Sequence, residues 1–124
     1  MAKDEPSRGV QLRRHPRLSV TFPLTFVVDG EGVTRVGNAL DIGGGGLFFE
    51  SAHRIAAQSL LTIEFGLRPG LNFQVRGRTV SSSTDPAKNI HRHRIVFEAL
   101  PDNVRGAIVA YVNDGWRAAL MSRI

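Results

Sequence analysis

The chain has no cysteine. That excludes a disulfide framework, thiol catalysis and a cysteine-type zinc site, and it suits a reducing cytosol. Long apolar runs are missing too. None approaches the roughly 18 residues that a bilayer-spanning helix needs, and the opening Met1-Ala2-Lys3-Asp4-Glu5-Pro6 holds no signal-peptide core. The expected location is therefore the cytoplasm, with no membrane partner. Catalytic signatures are equally sparse. There is no Gly-x-x-x-x-Gly-Lys-[Ser/Thr] loop to cradle a nucleoside triphosphate and no Gly-x-Ser-x-Gly elbow. Asp41, Glu50, Glu64 and Glu98 have no spacing that singles out a general acid and base. The expectation is a chain that is not an enzyme.

What is present is a single-domain length of 124 residues and a formal net charge of +5. The charge is uneven. Lys3, Arg8, Arg13, Arg14 and Arg17 face only Asp4 and Glu5 at the amino-terminal end. Residues 1–12 have little to bury and are expected to form a mobile basic arm.

After the arm, Leu18, Val20, Phe22, Leu24, Phe26 and Val28 alternate with Ser19, Thr21, Pro23 and Thr25, the period of a strand with one buried face. Pro23 cannot donate to a ladder, which implies an edge position or a bulge. Asp29-Gly30-Glu31-Gly32 reads as a hairpin turn into a second strand from about Val33 to Asp41. Further strands are expected at Leu47–Glu50, Leu60–Phe65, Leu71–Arg78 and Ile90–Ala99, with Ser81–Asn89 as a polar loop. Six short antiparallel strands argue an all-β barrel or sandwich. The period then changes. Val104, Ile108, Val112, Trp116 and Leu120 recur every four residues after Pro101, predicting a helix over about 101–120 that Gly115 weakens or breaks.

Two motifs carry chemistry. The first is Arg13-Arg14-His15-Pro16-Arg17, ahead of the first strand; the second is Asp41-Ile42-Gly43-Gly44-Gly45-Gly46, one hairpin later. The planar fork of arginine matches the O6/N7 edge of guanine and the oxygens of phosphate. An ionised aspartate complements the opposite edge of the same base, where N1 and N2 carry only hydrogens. Glycines beside the carboxylate permit positive φ and bring backbone N–H groups close to an anion. Either motif alone reads as a solvated linker or a turn. Their separation by one hairpin brings both to the same end of a sheet.

The pair resembles the marks of the PilZ domain, a bacterial receptor module for cyclic di-GMP: Arg-x-x-x-Arg, then [Asp/Asn]-x-Ser-x-x-Gly. Arg13 and Arg17 meet the first, with Arg14 an additional basic residue; Asp41 and Gly46 meet the second, with Gly43 in the serine position. Loss of that hydroxyl removes about 1 kcal/mol of hydrogen bonding. The resemblance spans about residues 13–120 and implies a six-stranded antiparallel split β-barrel with a carboxy-terminal helix. It also implies a cyclic di-GMP site at Arg13, Arg14, Arg17, Asp41, Gly43 and Gly46. Ligand binding would change the conformation of the arm and signal to an effector protein in trans, in control of motility, biofilm or exopolysaccharide.

Two other functions stay open. One is a degenerate adaptor that binds protein but not the nucleotide, which Gly43 favours, as does Arg94, near where relatives carry glycine. The other is general nucleic-acid binding, which needs aromatic stacking platforms. Phe22, Phe26, Phe49, Phe65, Phe73 and Phe97 alternate instead like core residues, so no specific nucleic acid is expected. Arg76, Arg78, Arg92 and Arg94 form a candidate phosphate rim if their strands are neighbours. His91 and His93 share a strand face, but two imidazoles without a third ligand make a poor metal site, and no metal or cofactor is expected.

Overall fold

The computed structural model describes residues 15–122. Leu24, Phe26 and Val28 are buried while Thr25 and Val27 are half-exposed, so the first strand, β1 (Arg17–Val28), turns one face inward as its alternation predicts. The turn beyond it needs left-handed backbone at Gly30 (φ 88°) and Gly32 (φ 68°), which glycine adopts without steric cost. The chain returns as β2 (Thr34–Gly43) and β3 (Gly46–Ser51), continues through β4 (Leu60–Arg68), β5 (Leu71–Asp85) and β6 (Ile90–Glu98), and ends in the helix α1 (Asp102–Met121).

Every strand pairing is antiparallel, and the order β1-β2-β3-β6-β5-β4 closes on itself as a barrel. Ala39, Ile42, Leu47, Phe49, Ile63 and Ile95 fill its interior at 1% exposure or less. Each of the leucine, isoleucine and phenylalanine side chains among them contributes about 1.5–3 kcal/mol by its burial. Closure is uneven between β1 and β4, which pair only from Thr25↔Glu64 to Val28↔Leu61. Pro23 therefore has β2 on one side, opposite Asn38, and no ladder partner among the described residues on the other, which is the local edge its ring requires. A groove of about 550 Å³ opens there, lined by Pro23, Leu24, Phe65 and Phe73.

Two features depart from the sequence reading. Ser81–Asp85 is strand, not loop, because β5 stays in register with β6 as far as Asp85↔Ile90. Its hydroxyls have work in the barrel: Ser82 Oγ lies 2.8 Å from His93 Nδ1, and Thr84 Oγ1 lies 2.9 Å from His91 Nδ1. Both imidazoles point inward and are buried. Gly115 does not break α1, which runs unbroken through it. The leucine methyls of Leu18 occupy the space where a Cβ at Gly115 would sit, so the glycine lets helix and β1 approach. The apolar stripe is buried at Ile108 and Val112, whereas Trp116 and Leu120 are 47% and 59% exposed. Among the described residues no helix is long and apolar enough to cross a membrane.

Candidate functional site

The antiparallel register of β1 and β2 sets Arg17 across from Gly43 and Ser19 across from Asp41. Simple alternation would send Asp41 into the core with buried Ala39. It does not, because β2 carries an extra residue at Leu40: Ala39 faces Phe49 and Asp41 faces Phe48, which are adjacent on β3. This bulge reverses the phase of the strand, so the next inward side chain is Ile42. Asp41 is thereby presented on the outer wall with its side chain 21% exposed.

The register continues from Phe48 to Arg94 of β6. Asp41, Phe48 and Arg94 thus stand in line across three strands. Arg94 donates from Nη1 to Asp41 Oδ1 at 2.9 Å and from Nη2 to Oδ2 at 3.3 Å, the forked geometry of a strong arginine–carboxylate pair. Its guanidinium lies 4.3 Å from the centre of the Phe48 ring, within cation–π range. Arg17 Nη1 approaches the same Oδ1 at 3.8 Å. Two cations around one carboxylate leave the patch electropositive, as an anionic ligand requires.

The glycines work differently from expectation. None of Gly43, Gly44, Gly45 and Gly46 has the left-handed φ found at Gly30, Gly32 and Gly70. They are needed for close approach. A Cβ at Gly43 would lie 2.6 Å from the Pro16 carbonyl oxygen, and one at Gly44 would lie 2.9 Å from both His15 Nδ1 and Val109 Cγ2. At Gly46 it would collide with the Ile95 carbonyl of β6. The turn is therefore packed between the chain entering β1, the helix and β6. Phe97 N–H donates to the Gly45 carbonyl at 2.9 Å, and Arg105 Nε donates to the Gly44 carbonyl at 3.0 Å. The far end of α1 is tied to the site as well, since Trp116 Nε1 donates to the Arg17 carbonyl at 2.9 Å.

Of the six residues singled out in the sequence, Arg17, Asp41 and Gly43 are brought together. Gly46 faces Gly43 directly across the hairpin and packs against β6. Arg13 and Arg14 lie outside the described residues. The arginine rim does not form. Arg76 and Arg78 face Glu98 and Val96, while Arg94 and Arg92 face Ser81 and Ser83. Each is matched to its own carboxylate: Arg76 to Asp29 at 2.7 Å, Arg78 to Glu98 at 2.8 Å and Arg92 to Glu50 at 3.3 Å. Hydrogen bonds from Arg76 and Arg78 hold the Asp29 and Glu98 carboxyls below their ordinary pKa values. Only Arg94 joins the site. Sequence reasoning missed that role and missed Phe48, because both follow from the pairing of β3 with β6, which no local pattern reveals.

The profile of the PilZ domain family matches residues 11–114, and the chain belongs to that family. No curated protein sequence matches it. Solved structures do. The PilZ domain of YcgR from Escherichia coli, determined with c-di-GMP, superimposes with a TM-score of 0.73 at 17% identity, covering 91% of this chain and 98% of that one. The inhibitor of motility MotI/DgrA of Bacillus subtilis gives 0.74 at 14% identity, over 96% of this chain and 58% of the other. The K. pneumonia MrkH–c-di-GMP complex gives 0.69 at 13% identity, covering 91% and 56%. This chain thus spans little more than half the length of the latter two. At these identities the likeness establishes the shared barrel and helix.

Proposed function

We propose that this PilZ domain is a receptor for cyclic di-GMP, with the ligand lying on the outer barrel wall over the ends of β1 and β2. The observation that carries the reading is the meeting of Arg17 and Asp41, which come from separate motifs and stand 3.8 Å apart. In this reading Asp41 accepts from guanine N1 and N2, while Arg13, Arg14 and Arg17 take the O6/N7 edges and the phosphates. Gly43 and Gly46 shape the site by letting the β2–β3 hairpin pack against the Pro16 and Ile95 carbonyls, which fixes the wall beside Asp41 on which the ligand lies. The YcgR and MrkH structures were determined with c-di-GMP, which supports the same ligand class. The basic arm ahead of β1 then closes on the ligand and presents a changed surface to an effector protein in trans, a device for controlling motility, biofilm or exopolysaccharide. The activity is binding, without catalysis, in the cytoplasm.

A second reading, an adaptor that has lost the ligand, is favoured by the crowding at Gly43. A serine Cβ there would lie 2.6 Å from the Pro16 carbonyl oxygen, so the serine of the family motif would require the chain entering β1 to shift. Calorimetric titration of the full chain with cyclic di-GMP, GTP, GMP and a single-stranded oligonucleotide separates the readings. Saturable binding of the cyclic dinucleotide alone supports the receptor. Absence of heat with all four supports the adaptor, and salt-steep binding of the oligonucleotide contradicts both. In the receptor, Arg17→Ala weakens binding about tenfold or more and leaves the melting temperature nearly unchanged; an unfolded variant contradicts the assignment.

A further inference from the structure

The head-on edge of the Asp41 carboxylate is already occupied. Arg94 Nη1 and Nη2 present two parallel N–H groups to Oδ1 and Oδ2, at 2.9 and 3.3 Å. Guanine presents the same pair from N1 and N2, equally planar and equally spaced for one carboxylate. Arg94 also covers the flat face of Phe48 at 4.3 Å, a surface on which a purine can stack as well as a guanidinium. Both features that would hold a guanine therefore hold the side chain of Arg94. Arg17 is different: at 3.8 Å from Oδ1 it lies beyond hydrogen-bond reach and leaves the fork of the carboxylate to Arg94.

We infer that Arg94 is an internal mimic of guanine that masks Asp41 and Phe48 and sets the affinity of the site, an inference that rests on the receptor reading above. Ligand must displace it, and the free energy of the forked pair is subtracted from binding. The same latch keeps the carboxylate paired when no ligand is bound, which suits a sensor that responds only above a threshold concentration. Register makes the competition unavoidable. Asp41, Phe48 and Arg94 are cross-strand neighbours in the ladders β2–β3 and β3–β6, so the arginine reaches the carboxylate across a single intervening ring.

The test is calorimetric titration of the full chain with cyclic di-GMP in four forms: unaltered, Arg94→Ala, Arg94→Met and Arg94→Lys. Methionine keeps an unbranched apolar stem over Phe48, so folding is preserved if alanine fails. Lysine keeps the charge without the fork. Loss of the charge-assisted pair should tighten binding about tenfold or more in the alanine and methionine variants, with lysine between them and the unaltered chain. Binding by these variants where the unaltered chain shows none supports the latch equally. Equal or weaker binding in the alanine and methionine variants overturns the latch, because Arg94 then grips the ligand or stands apart from it, while the receptor reading survives. If no folded form binds, the receptor reading falls and the latch with it.

Discussion

Asp41 accepts two N–H groups from Arg94 and stands 3.8 Å from Arg17, yet its position on the outer wall depends on a residue with no charge at all. Leu40, the extra residue of β2, turns the aspartate out of the core. Strict alternation from Ala39 would have buried it, so its identity as a candidate was legible in the sequence and its orientation was not. Another residue-scale consequence concerns His93. Its Nε2 donates to the His53 carbonyl at 3.1 Å, since a carbonyl can only accept, and its Nδ1 then accepts from Ser82 at 2.8 Å. Burial is the main influence that lowers its pKa below 6.5, with His91 and His53 adding to it against the His53 carbonyl bond. The unfolded chain therefore binds the proton more readily, and stability declines as pH falls below 6.5 towards the depressed folded value. Denaturant titrations between about pH 7.5 and 5 should show this slope, and His93→Gln should flatten it. The paired carboxylates of Asp29 and Glu98 act in a lower window, because their depressed values lose stability only below ordinary pKa values of 3.8 and 4.5.

At the scale of elements, the hairpin joining β2 to β3 illustrates what glycine does when φ is ordinary. Its tip is pressed against β6 so closely that a Cβ at Gly46 meets backbone, the Ile95 carbonyl, which cannot step aside as a side chain can. Gly46→Ala should destabilise the fold by about 1–3 kcal/mol, the usual cost of overpacking, as measured by urea unfolding. A change near zero would contradict the packing described. The same kind of closeness explains α1. A mid-helix glycine ordinarily weakens a helix, but Leu18 fills the place of its side chain, a contact between residues far apart in sequence. The strands were readable because their apolar residues alternate. The end of β5 was not, since Ser81, Ser82, Ser83 and Thr84 are polar on both faces and reveal a strand only through the histidines that Ser82 and Thr84 meet on β6.

For the whole molecule, six antiparallel strands and a terminal helix were visible in periodicity, and the order of closure was not. Placing β6 between β3 and β5 brings Arg94 to Asp41 and sends Arg76 and Arg78 to other carboxylates. The helix then spans the site, with Arg105 on the Gly44 carbonyl at one end and Trp116 on the Arg17 carbonyl at the other. The groove between β1 and β4 is lined by Pro23, Leu24, Phe65 and Phe73 and includes neither Arg17 nor Asp41. Its lining supplies no cation for a dinucleotide phosphate and includes the acidic Glu64, which favours the proposed placement on the outer wall. A crystal structure of the full chain grown with cyclic di-GMP tests that placement most directly. The receptor and its latch require a guanine with N1 and N2 on the Asp41 carboxylate, Arg17 within hydrogen-bond reach of the ligand, and Arg94 swung away from Asp41. Ligand seated in the groove or elsewhere, with the pairing of Arg94 to Asp41 unchanged, would contradict both.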